Sequence, residues 1–169
     1  MCCVPVSFDV MPNFVAMSSL ELKVPPPVVA LLLGLLMWLA SSLVAPVEVP
    51  FGPRVAVAIV LASVGLVVGL AGVVSFWRAK TTINPTTPTA TSVLVTSGAF
   101  RFTRNPMYLS LLLYLLAWAV YLSNWLALLF VPVFVLYINR FQIRPEERAL
   151  SSLFGPEYAA YKERVRRWL

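Results

Sequence analysis

Residues 105–139 read NPMYLSLLLYLLAWAVYLSNWLALLFVPVFVLYIN, a stretch without a single charged residue. One helix of this length would measure about 50 Å, whereas the hydrocarbon core of a bilayer is about 30 Å thick. The chain must therefore turn back, and the polar pair Ser123-Asn124 divides the stretch into residues 106–122 and 125–139. We predict a tight hairpin of two membrane helices, in which a kink at Pro132 is tolerated by packing against neighbouring helices.

Two more charge-free runs precede this hairpin. Residues 28–45 follow three consecutive prolines, and residues 55–77 lie between Arg54 and Arg78. A membrane helix needs about 20 apolar residues, and a charge near the bilayer centre costs a few kcal/mol, so both runs are predicted spans. The fold class that follows is all-α integral membrane, with about four transmembrane helices.

The composition supports this fold class. The 169 residues are 60% hydrophobic and 12% charged, with a mean hydropathy of +0.85. A soluble domain is roughly 45–50% apolar and about 25% charged, so a soluble globule, a disordered chain and a fibrous repeat are excluded. There is no histidine, and the two cysteines, Cys2 and Cys3, are adjacent. Histidine-based catalytic triads and metal sites are therefore not expected.

The basic residues predict the orientation, because cytoplasmic loops near membrane spans are rich in Lys and Arg. With four spans, both termini lie on one side of the membrane, and 12 of the 13 basic residues lie there too. Arg54 is the exception. We predict that both termini are cytoplasmic and that the basic surface meets lipid headgroups rather than nucleic acid. The residues before the first span lack the basic region of a signal peptide, so we expect that span in the mature protein.

Residues 145–169 are predicted to form two short amphipathic helices on the cytoplasmic side. Gly155 is placed to end the first helix, and Pro156 to begin the second. In the second helix, apolar and basic residues occupy different sides, and we expect the apolar side to lie on the membrane surface. That side comprises Tyr158, Tyr161, Val165 and Trp168.

Three segments are predicted to meet at the cytoplasmic edge of the membrane. They are residues 94–100 (LVTSGAF), residues 104–108 (RNPMY) and residues 144–147 (RPEE), the last followed by Leu150, Phe154-Gly155, Tyr158 and Tyr161. Residues 93–98 are apolar and favour packing, whereas the threonine- and proline-rich residues 81–91 are typical of a linker. The pair Glu146-Glu147 has a purely structural alternative, since acidic residues stabilise the first turn of a helix.

In their order and spacing, these segments resemble the C-terminal core of the isoprenylcysteine carboxyl methyltransferase family, whose relatives include membrane phospholipid methyltransferases. The resemblance covers residues 80–169 and suggests a prokaryotic member. It implies a site for S-adenosylmethionine, which would leave as S-adenosylhomocysteine, between the hairpin and the C-terminal helices. It assigns no catalytic residue and no metal ligand.

Carried over by position, the resemblance implies three groups of site residues. Leu94, Val95 and Phe100 line the adenosine side, and Asn105, Pro106, Met107 and Tyr108 form the wall at the start of the third span. Glu146 and Glu147 hold the polar end of the cofactor, and Arg140 or Arg144 faces the carboxylate or headgroup of the acceptor. Asn105 stands where eukaryotic members carry His, so it can form hydrogen bonds but cannot titrate near neutral pH. Ser110 stands where a Gly is common.

The expected chemistry fits a chain without histidine. Methyl transfer from a sulfonium to a carboxylate or thiolate needs no general base, whereas an amine would have to lose a proton, to Glu147 or to water. We predict a membrane methyltransferase that uses S-adenosylmethionine to modify a carboxylate or thiol of a lipophilic small-molecule or lipidated acceptor. The alternatives are a phospholipid or amine N-methyltransferase and a non-catalytic multi-pass membrane protein.

The predicted organisation has three parts. An N-terminal cytoplasmic segment (1–27) precedes two transmembrane helices (28–77) and a methyltransferase core (78–169). The core divides into a cofactor loop (78–104), the helical hairpin (105–139) and the C-terminal helices (145–169). We expect the protein in a prokaryotic inner membrane, with membrane lipid and the acceptor as its partners.

Overall fold

A computed structural model describes residues 21–79 and 93–169, and every regular element in these two ranges is helical. The all-α prediction is thereby confirmed for this part of the chain. Cys2, Cys3 and the predicted linker 81–91 lie outside the described residues. The α-helices are α1 (Pro26–Ser41), α2 (Phe51–Ala79), α3 (Pro106–Leu122), α4 (Trp125–Leu128), α5 (Phe130–Ile138) and α6 (Arg144–Arg164). A 3-10 helix spans Gly98–Arg101, and a π-helical segment spans Asn139–Ile143.

Two helical stretches are long and apolar enough to cross a membrane. They are α2, with 29 residues, and the run Trp125–Arg164, with 40. The charge-free part of that run ends at Asn139, so the residues from Arg140 onward lie beyond its apolar, membrane-spanning part. The other apolar helices, α1 and α3, are shorter, with 16 and 17 residues.

Helices α2 and α3 pack closely and run antiparallel. A Cβ atom added at Gly65 would lie 3.2 Å from Leu113, and one added at Gly69 would lie 2.7 Å from Ser110 Oγ. Small residues at such positions let two helix backbones approach. This packing places the end of α2 beside the start of α3.

The turn between α3 and α4 lies at Ser123-Asn124, as predicted. Ser123 has a φ of 50°, and the Asn124 side chain accepts from the Leu126 N–H at 2.9 Å, which caps α4. Asn124 Nδ2 also donates to Val44 O at 2.9 Å, and Ser123 Oγ donates to Val47 O at 2.8 Å. These bonds join the turn to the α1–α2 loop. We call this end of the helices the turn end.

The helical run is divided into α4 and α5 at Leu129, where the backbone angles remain helical (φ −65°, ψ −20°). Pro132 has no N–H to donate to the carbonyl of Leu128, and its ring crowds that carbonyl, which accounts for an interruption at this point. The kink itself stays a prediction. Beyond this point, Phe134 and Ile138 are fully buried against α1 and α3, together with Met37.

The C-terminal helix bends at Gly155, whose φ of 46° and ψ of −117° interrupt the helical geometry. Two helical pieces separated at this glycine were predicted, and the structure confirms them. The membrane-facing role of the second piece is wrong, because Tyr158 and Tyr161 are buried against Leu94 and other residues of this chain. The helix also ends at Arg164, so Val165 and Trp168 lie beyond it. A helical repeat of apolar residues marks a buried side without distinguishing lipid from protein as its partner.

Candidate active site

The end opposite the turn end gathers the three predicted segments, and we call it the site end. Here α2 finishes against the 3-10 helix, where the Phe76 and Phe100 rings meet edge to face at 5.1 Å. Gly98 has a φ of 63°, and a Cβ atom at this position would collide with Ser75 Oγ. A glycine is required on both counts, because only it adopts this backbone freely and leaves room for Ser75.

Glu146 pairs with Tyr108 across the site. Pro106 begins α3 and so places Tyr108 in its first turn, while Glu146 lies in the first turn of α6. The Tyr108 hydroxyl donates a hydrogen bond to Glu146 Oε1, and Tyr108 is buried. Burial raises the pKa of Glu146 from its ordinary 4.5 to about 8; the Tyr108 hydrogen bond opposes this shift, and neighbouring Glu147 adds to it. Glu146 lies beyond the membrane-spanning part of its helix.

Glu147 is held by two guanidinium groups. Arg167 contacts both carboxylate oxygens, with Nε 3.1 Å from Oε1 and Nη2 2.6 Å from Oε2. Arg104 Nη1 lies 3.3 Å from Oε1. The contact with Glu147 raises the pKa of Arg167. Two adjacent carboxylates therefore have different neighbours, a phenol for Glu146 and two cations for Glu147.

The residues after α6 pass over the site without regular secondary structure, and we call them the C-terminal strap (165–169). The Arg104 N–H donates to Arg166 O at 3.0 Å, and Asn105 Nδ2 donates to Arg167 O at 2.9 Å. Thr103 Oγ1 donates to the same Arg167 carbonyl at 3.2 Å. The strap is thus fixed to the residues immediately before α3.

The aromatic residues of α6 cover the segment that contains Leu94. Leu94 packs against Tyr158 and Tyr161, and the Tyr161 hydroxyl donates to Phe100 O at 2.7 Å. Burial raises the pKa of Tyr158 to about 12 and raises that of Tyr161 as well, so both are protonated at neutral pH. The prediction that residues 93–98 pack rather than form a free linker is confirmed by these contacts and by the burial of Val95.

The structure brings most of the predicted site residues into one connected cluster and separates the rest. The cluster contains Leu94, Phe100, Asn105, Tyr108, Glu146 and Glu147. Pro106 and Met107 turn towards Gly72 of α2 instead. Arg140 pairs with Glu21, while Arg144 is exposed and forms no ion pair with another described residue.

Sequence reasoning placed Arg104 and Tyr161 in the segments that meet at the site but gave neither a role there. Arg167 was missed, because it was counted only as positive charge on the cytoplasmic side. The available signal was Glu147 itself. A carboxylate predicted to lie within the site needs a cationic partner, because buried charges are paired.

The cluster contains hydrogen-bond donors and acceptors that suit a ligand with one negatively charged and one positively charged group. Arg104 Nη1 is in ion-pair contact with Glu147, whereas Arg104 Nε is buried and has no hydrogen-bond partner within the described ranges, so Nε is the donor available to a carboxylate. A bound cation would favour the ionised form of Glu146, and Phe100 and Tyr158, both buried in this structure, are the aromatic residues of the cluster. S-adenosylmethionine carries a carboxylate, an ammonium, a sulfonium and an adenine, and these residues fit those groups.

Comparison with known proteins shows the family of this chain. Residues 53–157, more than half of the chain, match the phospholipid methyltransferase family. The chain belongs to this family. Its members are methyltransferases, and with the two apolar helices described above the family supports a membrane methyltransferase. The match begins within α2, so the family region includes this helix as well as the segments recognised from the sequence.

A second similarity covers a shorter stretch. An uncharacterized protein of Haemophilus influenzae is 62% identical over 63 residues, which make up 37% of this chain and the whole of that protein. No solved structure gave a significant match to this chain.

Proposed function

We propose that this protein is an S-adenosylmethionine-dependent methyltransferase that resembles isoprenylcysteine carboxyl methyltransferases. In this proposal it transfers a methyl group to a carboxylate or thiol of a lipophilic acceptor at the cytoplasmic face of the membrane. The observation that carries the proposal is the Tyr108–Glu146 pair beside Arg104, whose Nε has no partner in the described ranges, in a chain of the phospholipid methyltransferase family.

The proposed topology has four spans, with both termini cytoplasmic and the core in residues 78–169. It is supported by the alternating direction of α1, α2, α3 and α4–α5 between the site end and the turn end. Charged side chains are paired at the site end, which is the end that faces the cytoplasm in this topology. A prokaryotic inner membrane is the proposed location, and the similarity to a Haemophilus influenzae protein supports it.

Each part of the cluster has a proposed task. Leu94, Val95 and Phe100 line the adenosine side, and Asn105 to Tyr108 form the adjoining wall, where Asn105 holds the strap. Glu146 faces the cationic end of the cofactor, and Arg104 takes its carboxylate, while Glu147 positions Arg104. S-adenosylmethionine supplies an activated methyl group on a sulfonium. The protein's own work is then to align the acceptor with that methyl group and to exclude water.

An apolar groove supports a lipophilic acceptor. It has a volume of about 710 Å³, lies between α1 and α3, and is lined by Gly34, Trp38, Leu111, Leu115 and Trp118 among others. Leu111 and Leu115 lie three and seven residues after Tyr108 and therefore share its side of α3. A hydrocarbon chain in this groove would point along α3 towards the site.

An amine acceptor is the second candidate, and the description of the matched family favours it. An amine must lose a proton during transfer. Glu147 has both oxygens engaged by Arg167. Glu146, with a pKa of about 8, is mostly protonated at pH 7 and becomes able to accept that proton as the pH rises towards 8 and above, so methylation of an amine should speed up over that range.

Calorimetric titration of S-adenosylmethionine and S-adenosylhomocysteine into the detergent-purified protein tests the proposal. We expect micromolar binding that is lost in Glu146→Gln and Asn105→Ala, with melting temperatures showing that both variants fold. Glu163→Gln changes the same charge at an exposed position and should bind normally. An absence of binding in lipid-containing micelles would favour the non-catalytic alternative. Profiling of carboxylate, thiol and amine acceptors then separates the two enzymatic candidates.

A further inference from the structure

A buried carboxylate joins two arginines at the outer side of the site end. Glu21 Oε1 lies 2.9 Å from Arg140 Nη1, and Glu21 Oε2 lies 2.5 Å from Arg148 Nη2. The Glu21 side chain is only 4% exposed, whereas those of Arg140 and Arg148 are 47% and 51% exposed. Two guanidinium groups therefore converge on one oxyanion and remain accessible on their other side.

This arrangement leaves an excess of positive charge. Arg144 is exposed and lies four residues from each of the other two arginines, between the π-helical segment and the body of α6. Four residues are close to one turn in either helix type, so the three arginines lie on successive turns. Glu21 balances one of these three charges. Each guanidinium has five N–H donors in a planar fork that suits carboxylates and phosphates, and Glu21 engages one nitrogen of Arg140 and one of Arg148.

The position of the three arginines matches the level of lipid headgroups. Arg140 is the first charged residue after the charge-free stretch that ends at Asn139. Arginines that follow an apolar segment so closely lie where phosphates are concentrated, and anionic lipids attract such basic side chains. A phosphate here would meet three guanidinium groups, of which two are already shown to converge on an oxyanion.

We infer that Arg140, Arg144 and Arg148 form a binding site for the phosphate of an anionic membrane phospholipid, and that Glu21 occupies part of this site as an internal competitor. The contacts of Glu21 show the geometry with which the two outer arginines take an oxyanion. The inference goes beyond the proposed methyl transfer, because the bound lipid need not be the acceptor and no cofactor is involved.

The test measures lipid binding through thermal stabilisation, since a ligand that binds the folded state raises the melting temperature. The full-length protein in dodecyl maltoside is titrated with dioleoyl phosphatidylglycerol, dioleoyl phosphatidylcholine or sodium phosphate, without S-adenosylmethionine. Glu21→Gln should reach half-saturation at about tenfold less phosphatidylglycerol than the unaltered protein, because hydrogen bonds to charged groups are worth about 1.5 kcal/mol or more. Glu163→Gln, with the same charge change elsewhere, should behave like the unaltered protein.

Defined results would overturn the inference. The inference fails if the affinity for phosphatidylglycerol rises no more in Glu21→Gln than in Glu163→Gln. It also fails if that rise in affinity persists in the Glu21→Gln, Arg148→Gln double variant. Equal stabilisation by phosphatidylglycerol and free phosphate would contradict a lipid as the ligand. If Glu21→Gln does not fold, Arg144→Gln leaves both ion pairs of Glu21 intact, and it should weaken phosphatidylglycerol binding more than Arg164→Gln does. Equal effects of these two arginine variants would also overturn the site.

Discussion

The two ends of the helices are held together by different kinds of interaction. At the turn end, the neutral side chains of Ser123 and Asn124 bond to backbone atoms of the α1–α2 loop. At the site end, Glu147 is shared by Arg104 and Arg167, and Glu146 pairs with Tyr108. A buried donor without a partner in the described ranges is present at both ends, as Arg54 Nε and as Arg104 Nε, so the site end is set apart by its cluster of ionisable side chains, which suits a charged ligand. The comparison assigns stability to the turn end and binding to the site end.

The largest effect that would break this comparison is expected for Glu147→Ala. Arg104 and Arg167 would lose a shared partner that is only 17% exposed, at a cost of about 3 kcal/mol. The melting temperature should fall by more than 5 °C, and S-adenosylmethionine binding should weaken at least tenfold because Arg104 is released. Glu163→Ala, at an exposed acid, is the control. If both variants melt alike, the ion pairs at the site end do not stabilise the fold.

Asn124→Ala should have the next largest effect, and on stability alone. The variant loses the cap of α4 and the donor to Val44 O, which together are worth about 2 kcal/mol. Methyl transfer per folded molecule should remain unchanged. Asn124→Asp keeps the capping oxygen and should recover part of the loss in melting temperature. A drop in cofactor affinity would show that the two ends are coupled.

A smaller effect is expected from pH, at the site end only. The pKa of Glu146 is raised in the folded protein from 4.5 to about 8, so the folded state binds its proton more tightly than the unfolded state. Stability should therefore be greatest below pH 4.5 as far as this group is concerned, and should decline as the pH rises towards 8. Glu146→Gln removes this titration, so its melting temperature relative to the unaltered protein should increase between pH 5 and pH 8. A constant difference over that range would contradict the raised pKa.

Arg54→Gln is expected to have the smallest effect. At the turn end, the Arg54 guanidinium lies 5.4 Å from the centre of the Phe51 ring and 5.9 Å from that of Tyr121. Partly exposed contacts of this kind contribute about 0.5–1 kcal/mol. Arg54→Lys should preserve most of this contribution, and neither variant should alter cofactor binding. A larger loss of methyl transfer than of stability would place part of the site at the turn end.

The helices were accessible from the sequence because lipid imposes simple limits on length and charge. Residues 106–122 were predicted as one helix and form α3 with the same bounds. The division at Ser123-Asn124 and the bend at Gly155 followed from local residue chemistry, and both are present.

The partners of charged and aromatic side chains were much less accessible. Glu21 and Arg140 are 119 residues apart, and no pattern along the chain connects them. Arg164, Arg166 and Arg167 look equivalent in the sequence, yet Arg167 is the one that reaches Glu147. Charge counts indicate a side of the membrane and periodicity indicates a buried side, but neither identifies a partner in three dimensions.

The geometry of the site depends on the handedness of residue 155. Its backbone angles, φ 46° and ψ −117°, mirror an ordinary extended conformation and are open to glycine or to a D-amino acid. No atom outside its immediate chain neighbours lies within 4 Å of where a Cβ would be added, so handedness rather than space restricts this position. A protein assembled by chemical ligation with D-alanine at residue 155 should keep the hydrogen bond from the Tyr161 hydroxyl to Phe100 O. With L-alanine at this position, we expect that bond to be lost. The return of α6 over the site thus depends on one torsion that the ordinary genetic code supplies only through glycine.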